Sequence, residues 1–208
     1  EQYRDDKANL FENLNLFGMV NGDDKASSLF ASKTEKPVYS FIKDKTSAKE
    51  IFAENYFMTN IKSDAKGEDF SLEVINQDDI TKLEDFRIDL PGTFNVYNST
   101  AAAIVVSKLL NITLEELKPA LKALTPVKGR MTVVDEGQDF EVIVDYAHTP
   151  SSFETIFPPL QKRLAETTKG KLFVLFGSGG ERDTKKRPEQ GRIAEKYCDY
   201  VILTDEDP

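Results

Sequence analysis

The sequence predicts an α/β protein in two parts, and three features of the chain support this prediction. In residues 25–90, short strand-like runs are separated by Asp, Gly and Lys, which favours a mostly antiparallel sheet with one solvent-facing side. From residue 131 onward, strand-like and helix-like segments alternate, which is typical of a parallel sheet covered by helices. The stretch TPVKGR at 125–130 contains Pro and Gly and indicates a linker. We therefore expect domains at 1–126 and 127–208.

The first part begins with a predicted helix over residues 1–17, in which apolar side chains recur at helical spacing. The stretch VNGDD at 20–24 is a turn signal. Four later runs have the β-branched and aromatic content of strands: PVYSFI, NYFMTNI, DFSLEVI and DFRIDL. The expected sheet therefore follows one helix and one turn.

Two helices are predicted to complete the first part. The residues PG at 91–92 interrupt the chain, Thr93 is a candidate N-terminal cap, and the Ala-rich stretch after it is expected to be a buried helix. The segment at 113–124 has the period of an amphipathic helix. Because Thr113 and Glu116 stand three residues apart at its start, we expect a capping box there.

The second part is predicted to alternate strands with helices. The expected elements are strands over 131–135 and 140–145, a helix near 150–165, strand KLFVLFG, a helix near 186–197 and strand YVILT. In open α/β sheets, ligands bind at the carboxyl ends of the strands. The residues that end each strand are therefore candidates for a functional site.

Composition and charge exclude several classes of protein. Lys and Arg total 27 against 36 Asp and Glu, which gives a formal net charge of −9 and a pI near 4.8. An acidic surface repels phosphate backbones, which argues against non-specific nucleic-acid binding. Cys198 is the only cysteine, so an internal disulfide is excluded, as expected in a reducing cytoplasm. No run approaches ~18 apolar residues, so no membrane span is expected.

The segment VIVDYAHTP at 142–150 is the first candidate for chemistry. An apolar strand ends in Asp145, Tyr146 and His148, and a helix follows. Asp145 could bond a ribose hydroxyl or a metal-bound water. His148, the single histidine of the chain, could equally be a solvated residue at a helix start. The position at the end of a strand favours ligand binding.

The segment LFVLFGSGGERDTKKRP at 172–188 is the second candidate. Gly177, Gly179 and Gly180 let backbone N–H groups approach an anion, and charged residues follow. These residues are Arg182, Asp183, Lys185, Lys186 and Arg187. The segment is not a Walker A loop, because Lys-Ser/Thr is missing at the required spacing, and it lacks the third glycine of G-x-G-x-x-G. A solvated loop is the alternative to an anion site.

Asn95 and Asn98 in GTFNVYN form the third candidate. They lie three residues apart at a helix start and therefore share one face. Their amides can read an adenine edge, which offers both donors and acceptors. Capping and turn formation are the alternative. Lys7 in QYRDDKANLF is, taken alone, typical of a solvated helical lysine.

Five sequence blocks stand in one order along the chain: VNGDD, GTFNVYN, KGR, VDYAHTP and FGSGGERDTKKRP. In these blocks, and from QYRDDKANLF to LTDEDP, the chain resembles the Mur ligase family. The resemblance implies an α/β fold with a partial P-loop-type central ATPase domain over 1–126 and a partial Rossmann-like C-terminal domain over 127–208. It also implies an internal fragment that lacks the N-terminal domain and the P-loop and is inactive alone.

The resemblance also implies sites for ATP and Mg²⁺. The residues that it assigns to ATP are Asn95, Asn98, Arg130, Asp145, Tyr146 and His148. Within this set the asparagines match residues near the adenine, Arg130 matches a linker arginine that contacts phosphates, and Asp145 matches the residue that holds the ribose. Lys7 matches a carbamylated lysine whose carbamate oxygens would hold Mg²⁺.

An amino-acid site is implied by two further matches. Arg182 matches a residue that binds the carboxylate of the incoming amino acid, in the bidentate geometry that arginine favours. The turn TDEDP supplies Asp205, Glu206 and Asp207 as candidates for recognising its side chain. Family members that use meso-diaminopimelate typically have Asn where Asp207 stands. The added negative charge suits the ammonium group of L-lysine and disfavours a distal carboxylate.

The activity implied by the resemblance is the ATP-dependent addition of an amino acid, expected to be L-lysine, to a UDP-N-acetylmuramoyl-dipeptide in peptidoglycan synthesis. The peptide carboxylate would form an acyl phosphate, which the amino group then attacks. A monomeric, cytoplasmic enzyme is expected. A folylpolyglutamate synthetase-like ligase and a non-catalytic binding module derived from the ligase are the alternatives. Thr132 departs from the family, which often has Glu at this position.

Overall fold

The chain folds into two units, Glu1–Val127 and Lys128–Pro208, which are called the first and second units below. The computed structural model describes residues 2–64, 66–76, 79–167, 170–179 and 183–205. Within these ranges, no helix combines the length and the apolar character that a membrane crossing requires.

The N-terminal helix is shorter than predicted. Helix α1 covers Gln2–Ala8, a 3-10 turn covers Asn9–Asn13, and Leu14 is extended. The side chains of Phe11 and Leu14 lie against Gly18, where an added Cβ would come within 2.7 Å of the Phe11 ring. The apolar spacing in this stretch therefore serves packing onto the next strand, and the predicted helix is wrong beyond the 3-10 turn.

The first unit is built on a five-stranded mixed sheet in the order β1-β2-β3-β4-β5. The strands are β1 Gly18–Asn21, β2 Val38–Ile42, β3 Glu54–Ser63, β4 Glu68–Asn76 and β5 Asp79–Ile88. Strands β1, β2 and β3 pair in parallel, whereas β3, β4 and β5 pair antiparallel. The prediction of a mostly antiparallel sheet is therefore right only for the second half, because a parallel crossover leaves no tight-turn signal.

Two short elements of the first unit were not predicted. Strand β1 has four residues and helix α2, Ser27–Ala31, has five, which is too short for a period to show in the sequence. Both contribute to a small core whose buried residues are Val20, Ala31, Val38 and Phe52. The predicted turn follows β1, and the backbone N–H of Asp24 donates to the carbonyl of Asn21 at 3.2 Å.

The main core of the first unit lies between the sheet and two helices, α3 Thr93–Leu110 and α4 Leu114–Lys122. Its fully buried side chains come from β3, β4, β5 and α3: Met58, Phe70, Leu72, Phe86, Ile88, Val96 and Ile104. Removing apolar surface from water stabilises such a core by roughly 25 cal/mol per Å². Helix α3 is therefore the buried helix that the Ala-rich stretch predicts.

The two helices of the first unit begin in different ways. The N-cap of α3 is Gly92, with φ +104°, and Thr93 is already helical, so the predicted Thr93 cap is wrong. A positive φ favours glycine, and a Cβ there would also come within 2.6 Å of the Phe94 ring. The capping box of α4 is confirmed. The Glu116 carboxylate accepts the backbone N–H of Thr113 at 2.8 Å, and the Thr113 hydroxyl accepts the backbone N–H of Glu116 at 3.2 Å.

The second unit contains two separate pairs of strands and two helices. Its elements are β6 Thr132–Val134, β7 Val142–Val144, α5 Pro150–Thr167, β8 Phe173–Phe176, α6 Lys186–Tyr197 and β9 Tyr200–Leu203. Strands β8 and β9 are parallel, as predicted, but β6 and β7 form an antiparallel pair. The connection between β6 and β7 is too short for a parallel crossover, which takes about a dozen residues.

Among the described residues, the two helices of the second unit pack on one side of the β8–β9 pair. The covered side packs against Phe153, Phe157, Ile193 and Ala194 of the two helices. Cys198 borders this core, and burial raises the pKa of its thiol to about 11, followed by a smaller effect of Asp199. The opposite side is called the bare sheet face. Its apolar side chains are about half exposed or more, and they belong to Phe173, Leu175, Tyr200 and Ile202.

Candidate functional site

The first two turns of α3 carry the two predicted adenine contacts. The side-chain amide of Asn95 donates to the carbonyl oxygen of Pro91 at 2.8 Å, and its backbone N–H donates to the carbonyl of Gly92 at 2.8 Å. Asn98 lies one turn further along the helix and is exposed. Asn95 therefore closes its own turn and keeps its side-chain oxygen as an acceptor, whereas the amide of Asn98 is open to solvent for donating and accepting.

The strand-end aspartate of the second unit organises the chain around it. One carboxylate oxygen of Asp145 accepts the backbone N–H of Met131, and the other accepts that of Ala147, both at 2.8 Å. Met131 has φ +49°, a backbone conformation that a non-glycine residue needs support to hold. The backbone N–H of Tyr146 donates to the carbonyl of Gly129 at 2.7 Å. Asp145 thus fixes the loop that presents Arg130, and each of its oxygens can still accept another donor.

Arg130, Tyr146 and His148 lie together beside this aspartate. The Arg130 guanidinium lies 4.7 Å from the centroid of the Tyr146 ring, and the Tyr146 and His148 rings meet edge to face at 5.0 Å. The side-chain Nδ1 of His148 lies 3.0 Å from the carbonyl oxygen of Tyr146. Four predicted site residues, Arg130, Asp145, Tyr146 and His148, therefore form one group, called the strand-end cluster. Its cation and ring are exposed, with Tyr146 61% accessible.

The second candidate segment meets the strand-end cluster through Lys186, at the start of α6. The Lys186 ammonium donates to the carbonyl oxygen of His148 at 3.1 Å. The sequence identifies Lys186 only as part of a basic run, and its contact with His148 spans 38 positions. The contact adds a positive charge beside the strand-end cluster, so the cluster and Lys186 together offer hydrogen-bond acceptors, an aromatic face and two cations.

Of the residues predicted to bind the amino acid, Arg182, Glu206 and Asp207 lie outside the described residues, as do Gly180 of the second candidate segment and Pro208. Asp205 is described and is exposed after the end of β9. The strand before it is extended by a bond from the backbone N–H of Thr204 to the carbonyl of Phe176 at 3.1 Å. This bond places Asp205 beyond the carboxyl end of a parallel strand, the edge at which ligands bind.

Lys7 lies on the exposed surface of α1, with its ammonium 4.5 Å from the centroid of the Tyr3 ring. The nearby acids have local partners, since Asp5 pairs with Arg4 at 2.9 Å and Asp6 accepts from Gln2 at 2.9 Å. No group of three or more His, Cys, Asp or Glu suited to a metal ion occurs among the described residues. Mg²⁺ prefers octahedral oxygen ligands and is usually held by one or two carboxylates together with substrate phosphates.

The fold and the site together define a class of protein, namely an α/β protein of two units whose polar side chains gather at strand ends and at a helix start. The sequence narrows this class. Residues 1–106 match the Mur ligase middle domain, and residues 129–208 match the glutamate ligase domain of Mur ligases. The chain belongs to the Mur ligase family, and the resemblance seen in the five sequence blocks is confirmed.

Curated relatives match over the whole chain. It is 45% identical over 221 residues to the UDP-N-acetylmuramyl-tripeptide synthetase of Treponema denticola and 39% identical over 233 residues to that of Treponema pallidum. It is 38% identical over 210 residues to a UDP-N-acetylmuramoyl-L-alanyl-D-glutamate–2,6-diaminopimelate ligase of Caldanaerobacter subterraneus subsp. tengcongensis. These alignments span 40%, 43% and 39% of the relatives' own lengths.

Solved structures agree with the fold class. A UDP-N-acetylmuramoyl-L-alanyl-D-glutamate–2,6-diaminopimelate ligase matches with a TM-score of 0.56 and 26% identity, over 98% of this chain and 39% of that one. MurF from Acinetobacter baumannii matches with a TM-score of 0.67 and 19% identity, over 95% and 41% of the two chains. The second likeness concerns the fold alone. The predicted α/β fold with Mur ligase middle and C-terminal domains is confirmed.

Proposed function

We propose that the chain is part of an ATP-dependent ligase that adds an amino acid to a UDP-N-acetylmuramoyl-dipeptide in peptidoglycan synthesis. The observation that carries the proposal is the 45% identity, along the whole chain, to a UDP-N-acetylmuramyl-tripeptide synthetase. The likeness to the folylpolyglutamate synthase of Thermotoga maritima, at 13% identity, concerns the fold alone and does not favour that alternative. Both substrates belong to cytoplasmic metabolism, so we place the reaction in the cytoplasm.

The ATP assignment rests on two groups of side chains. Asn95 and Asn98 offer amide donors and acceptors at the start of α3, which suits an adenine edge. The strand-end cluster offers Asp145 oxygens for ribose hydroxyls and the Arg130 guanidinium for phosphate oxygens. The guanidinium lies over the exposed ring of Tyr146, and a contact that limits its orientations before binding reduces the entropy lost when a phosphate binds.

The proposed reaction has two steps. A carboxylate of the nucleotide-linked peptide attacks the γ-phosphorus of ATP, which forms an acyl phosphate and releases ADP. The amino group of the incoming amino acid then attacks the acyl carbon. An amide bond forms, inorganic phosphate leaves, and solvent takes up the proton that the amine nitrogen loses. The chain contributes by orienting the nucleotide and by placing positive charge near its phosphates, which are the main requirements of phosphoryl transfer.

Lys7 is proposed to be carbamylated because it stands where the family has a carbamylated lysine, and its exposed side chain is accessible to CO₂. Bound Mg²⁺ would neutralise phosphate charge, and the carbamate oxygens of Lys7 would help to hold it. Lys7→Arg keeps the positive charge and cannot form a carbamate. Both Lys7→Arg and Lys7→Ala should abolish turnover of the full-length enzyme, and substantial activity of the arginine variant would rule out the carbamate.

L-lysine is proposed as the incoming amino acid. The support comes from the sequence, in which Glu206 and Asp207 add negative charge to the expected recognition turn. An acidic turn attracts the side-chain ammonium of lysine and repels the second carboxylate of meso-diaminopimelate. The relatives include both tripeptide synthetases and diaminopimelate ligases, so a direct comparison of the two amino acids is required.

The test uses the full-length protein that contains this chain. It is incubated with UDP-N-acetylmuramoyl-L-alanyl-D-glutamate, ATP, Mg²⁺ and either L-lysine or meso-diaminopimelate, and products are identified by mass spectrometry. We expect one ADP released per lysine added and little product with meso-diaminopimelate. Efficient use of meso-diaminopimelate would overturn the specificity, and absence of product with either amino acid would overturn the proposed activity.

A further inference from the structure

The start of α3 is held by a buried acid from the sheet. The carboxylate of Glu68, at the beginning of β4, accepts the backbone N–H of Gly92 at 2.7 Å and the hydroxyl of Ser63 at 2.6 Å. Glu68 is 1% exposed. Burying a carboxylate is costly unless hydrogen bonds compensate it. The bond to Gly92 therefore ties the N-cap of α3 firmly to the sheet.

A second acid holds the same helix one turn further on. The hydroxyl of Tyr97 donates to Asp23 at 2.9 Å, and Asp23 also accepts the backbone N–H groups of Lys43 at 2.8 Å and Asp44 at 3.2 Å. Asp23 follows β1, and Lys43 and Asp44 follow β2, so this carboxylate joins two strand ends to the helix. The Tyr97 ring also meets Phe41 of β2 edge to face at 6.0 Å.

These two attachments lie on either side of Asn95, and the second is next to Asn98. Gly92 precedes Asn95 by three residues, and Tyr97 lies between Asn95 and Asn98. We propose that Glu68 and Asp23, acting through Gly92 and Tyr97, are positioning residues that fix the asparagines for adenine recognition. The inference rests on the proposed function, because it assumes that these asparagines contact the nucleotide.

Recognition of an adenine edge by an amide depends on precise placement of the side chain. A side-chain amide reads a base edge through directional bonds, so a small rotation of the helix start weakens them. The first turn of a helix frays more readily than its middle, because its N–H groups lack intrahelical partners. Fixing this turn at two points in the free protein lowers the entropy lost on binding. Loss of one attachment should therefore weaken nucleotide recognition more than it weakens the fold.

The central experiment is Tyr97→Phe in the full-length enzyme, which removes one hydroxyl and keeps the ring against Phe41. We expect the KM for ATP to rise about two- to tenfold, the range that one lost hydrogen bond supports, with kcat nearly unchanged. The preference for ATP over GTP should fall by a similar factor, because the affected contacts are to the base. If Tyr97 had only a structural role, Tyr97→Phe would lower Tm and leave the KM for ATP and the preference for ATP over GTP unchanged.

Tyr56→Phe is the matched control. Its hydroxyl also donates to a carboxylate, that of Glu54, which in turn pairs with Lys108 of α3 at 2.7 Å, within the last turn of that helix. The same chemical deletion should therefore lower Tm without changing the KM for ATP or the preference for ATP. If Tyr56→Phe and Tyr97→Phe change the KM for ATP equally, the positioning role is overturned.

Variants of Glu68 test the other attachment. Glu68→Gln keeps an oxygen for the Gly92 N–H and should stay close to the parent enzyme in its KM for ATP. Glu68→Ala removes the acceptor and should raise that KM, and if it does not fold, the result for Tyr97→Phe decides.

Asn98→Ala separates the two proposals. If Asn98→Ala raises the KM for ATP and Tyr97→Phe does not, the positioning role fails alone; if neither does, the adenine assignment fails and takes the positioning role with it.

Discussion

At the scale of single residues, Arg130 lies over the ring of Tyr146, and its proposed role is to bind a phosphate of ATP. The guanidinium lies 4.7 Å from the ring centroid. A planar guanidinium can stack and still present two N–H groups to a phosphate, which an ammonium cannot do. Arginine is therefore favoured over lysine at this position if the group binds phosphate.

We predict that Arg130→Lys raises the KM for ATP of the full-length enzyme by about tenfold, because the bidentate contact and the stack are both lost. Lys171→Arg is the control. Lys171 also lies over a ring, 5.1 Å from the centroid of Tyr200, but outside the strand-end cluster. Steady-state kinetics with varied ATP should show no change for the control. An unchanged KM for Arg130→Lys would remove Arg130 from the phosphate site.

Asp145 gives a second prediction at this scale. Asn in its place keeps one acceptor oxygen and turns an N–H donor toward the backbone N–H of Met131 or of Ala147. Leaving one such group unpaired should cost about 1–3 kcal/mol of unfolding free energy, measured by urea denaturation of the full-length enzyme. Asp135→Asn is the control, since Asp135 accepts one bond, from Gly137 at 3.0 Å, in an exposed turn. Equal losses in the two variants would contradict the supporting role of Asp145.

The sequence predicts contacts between neighbouring residues, but it does not predict contacts between residues that are far apart along the chain. Asp145, Tyr146 and His148 stand within four positions at the end of one strand, so their proximity follows from local structure. The bond between Tyr97 and Asp23 joins residues 74 positions apart. Neither residue carries a local signal for it, because the contact depends on how α3 packs against the ends of β1 and β2.

At the scale of elements, an arginine ties together the connection between β3 and β4. Arg87 of β5 pairs with Asp64 at 2.8 Å, Asp69 at 3.2 Å and Asp89 at 3.1 Å. Asp64 also accepts backbone N–H bonds from Lys66 and Gly67. The bond to Arg87, followed by these backbone bonds, holds the pKa of Asp64 far below its ordinary value of 3.8.

This ion pair predicts a pH dependence of stability. Because the pKa of Asp64 is lower in the folded state, its contribution is present above the unfolded-state value near 3.8 and is lost as the pH falls through the folded-state value. Urea unfolding of the parent and of Asp64→Asn should therefore differ most near neutral pH and converge as the pH drops below about 4. A difference that stays constant with pH would exclude the carboxylate as its source.

Elements were predicted where the chain carries its own signal. The capping box at α4 could be recognised because two side chains at fixed spacing satisfy the helix start. The start of α3 could not, because Gly92 adopts a positive φ and the acceptor for its N–H is Glu68, which lies 24 positions away. Strand alternation alone does not specify direction, so the antiparallel pairing of β6 with β7 could be predicted only from the short connection between them.

At the scale of the whole molecule, the bare sheet face contrasts with an otherwise acidic chain. Phe173 is 59% exposed and Leu175 is 66% exposed, and Phe173 stacks on Tyr200 with ring centroids 4.5 Å apart. Contiguous exposed apolar surface of this kind is unusual on a monomeric protein and marks an interaction or aggregation surface.

We predict that the folded 208-residue polypeptide binds a hydrophobic dye through this surface. Leu175→Lys should reduce the fluorescence of 8-anilinonaphthalene-1-sulfonate, because a charge interrupts the apolar area. Leu124→Lys, in the first unit and 39% exposed, is the control and should leave the signal close to that of the parent. Equal fluorescence of the parent and Leu175→Lys would show that the dye binds elsewhere.

The same face has a consequence for colloidal behaviour. Copies of a polypeptide that carries nine excess negative charges repel one another at low ionic strength. Salt shortens the range of that repulsion, from a Debye length of about 10 Å at 0.1 M to about 3 Å at 1 M. The hydrophobic attraction between two bare sheet faces is not screened by salt. Sedimentation velocity should therefore show heavier species as salt is added, which is the opposite of the response expected from association through ion pairs.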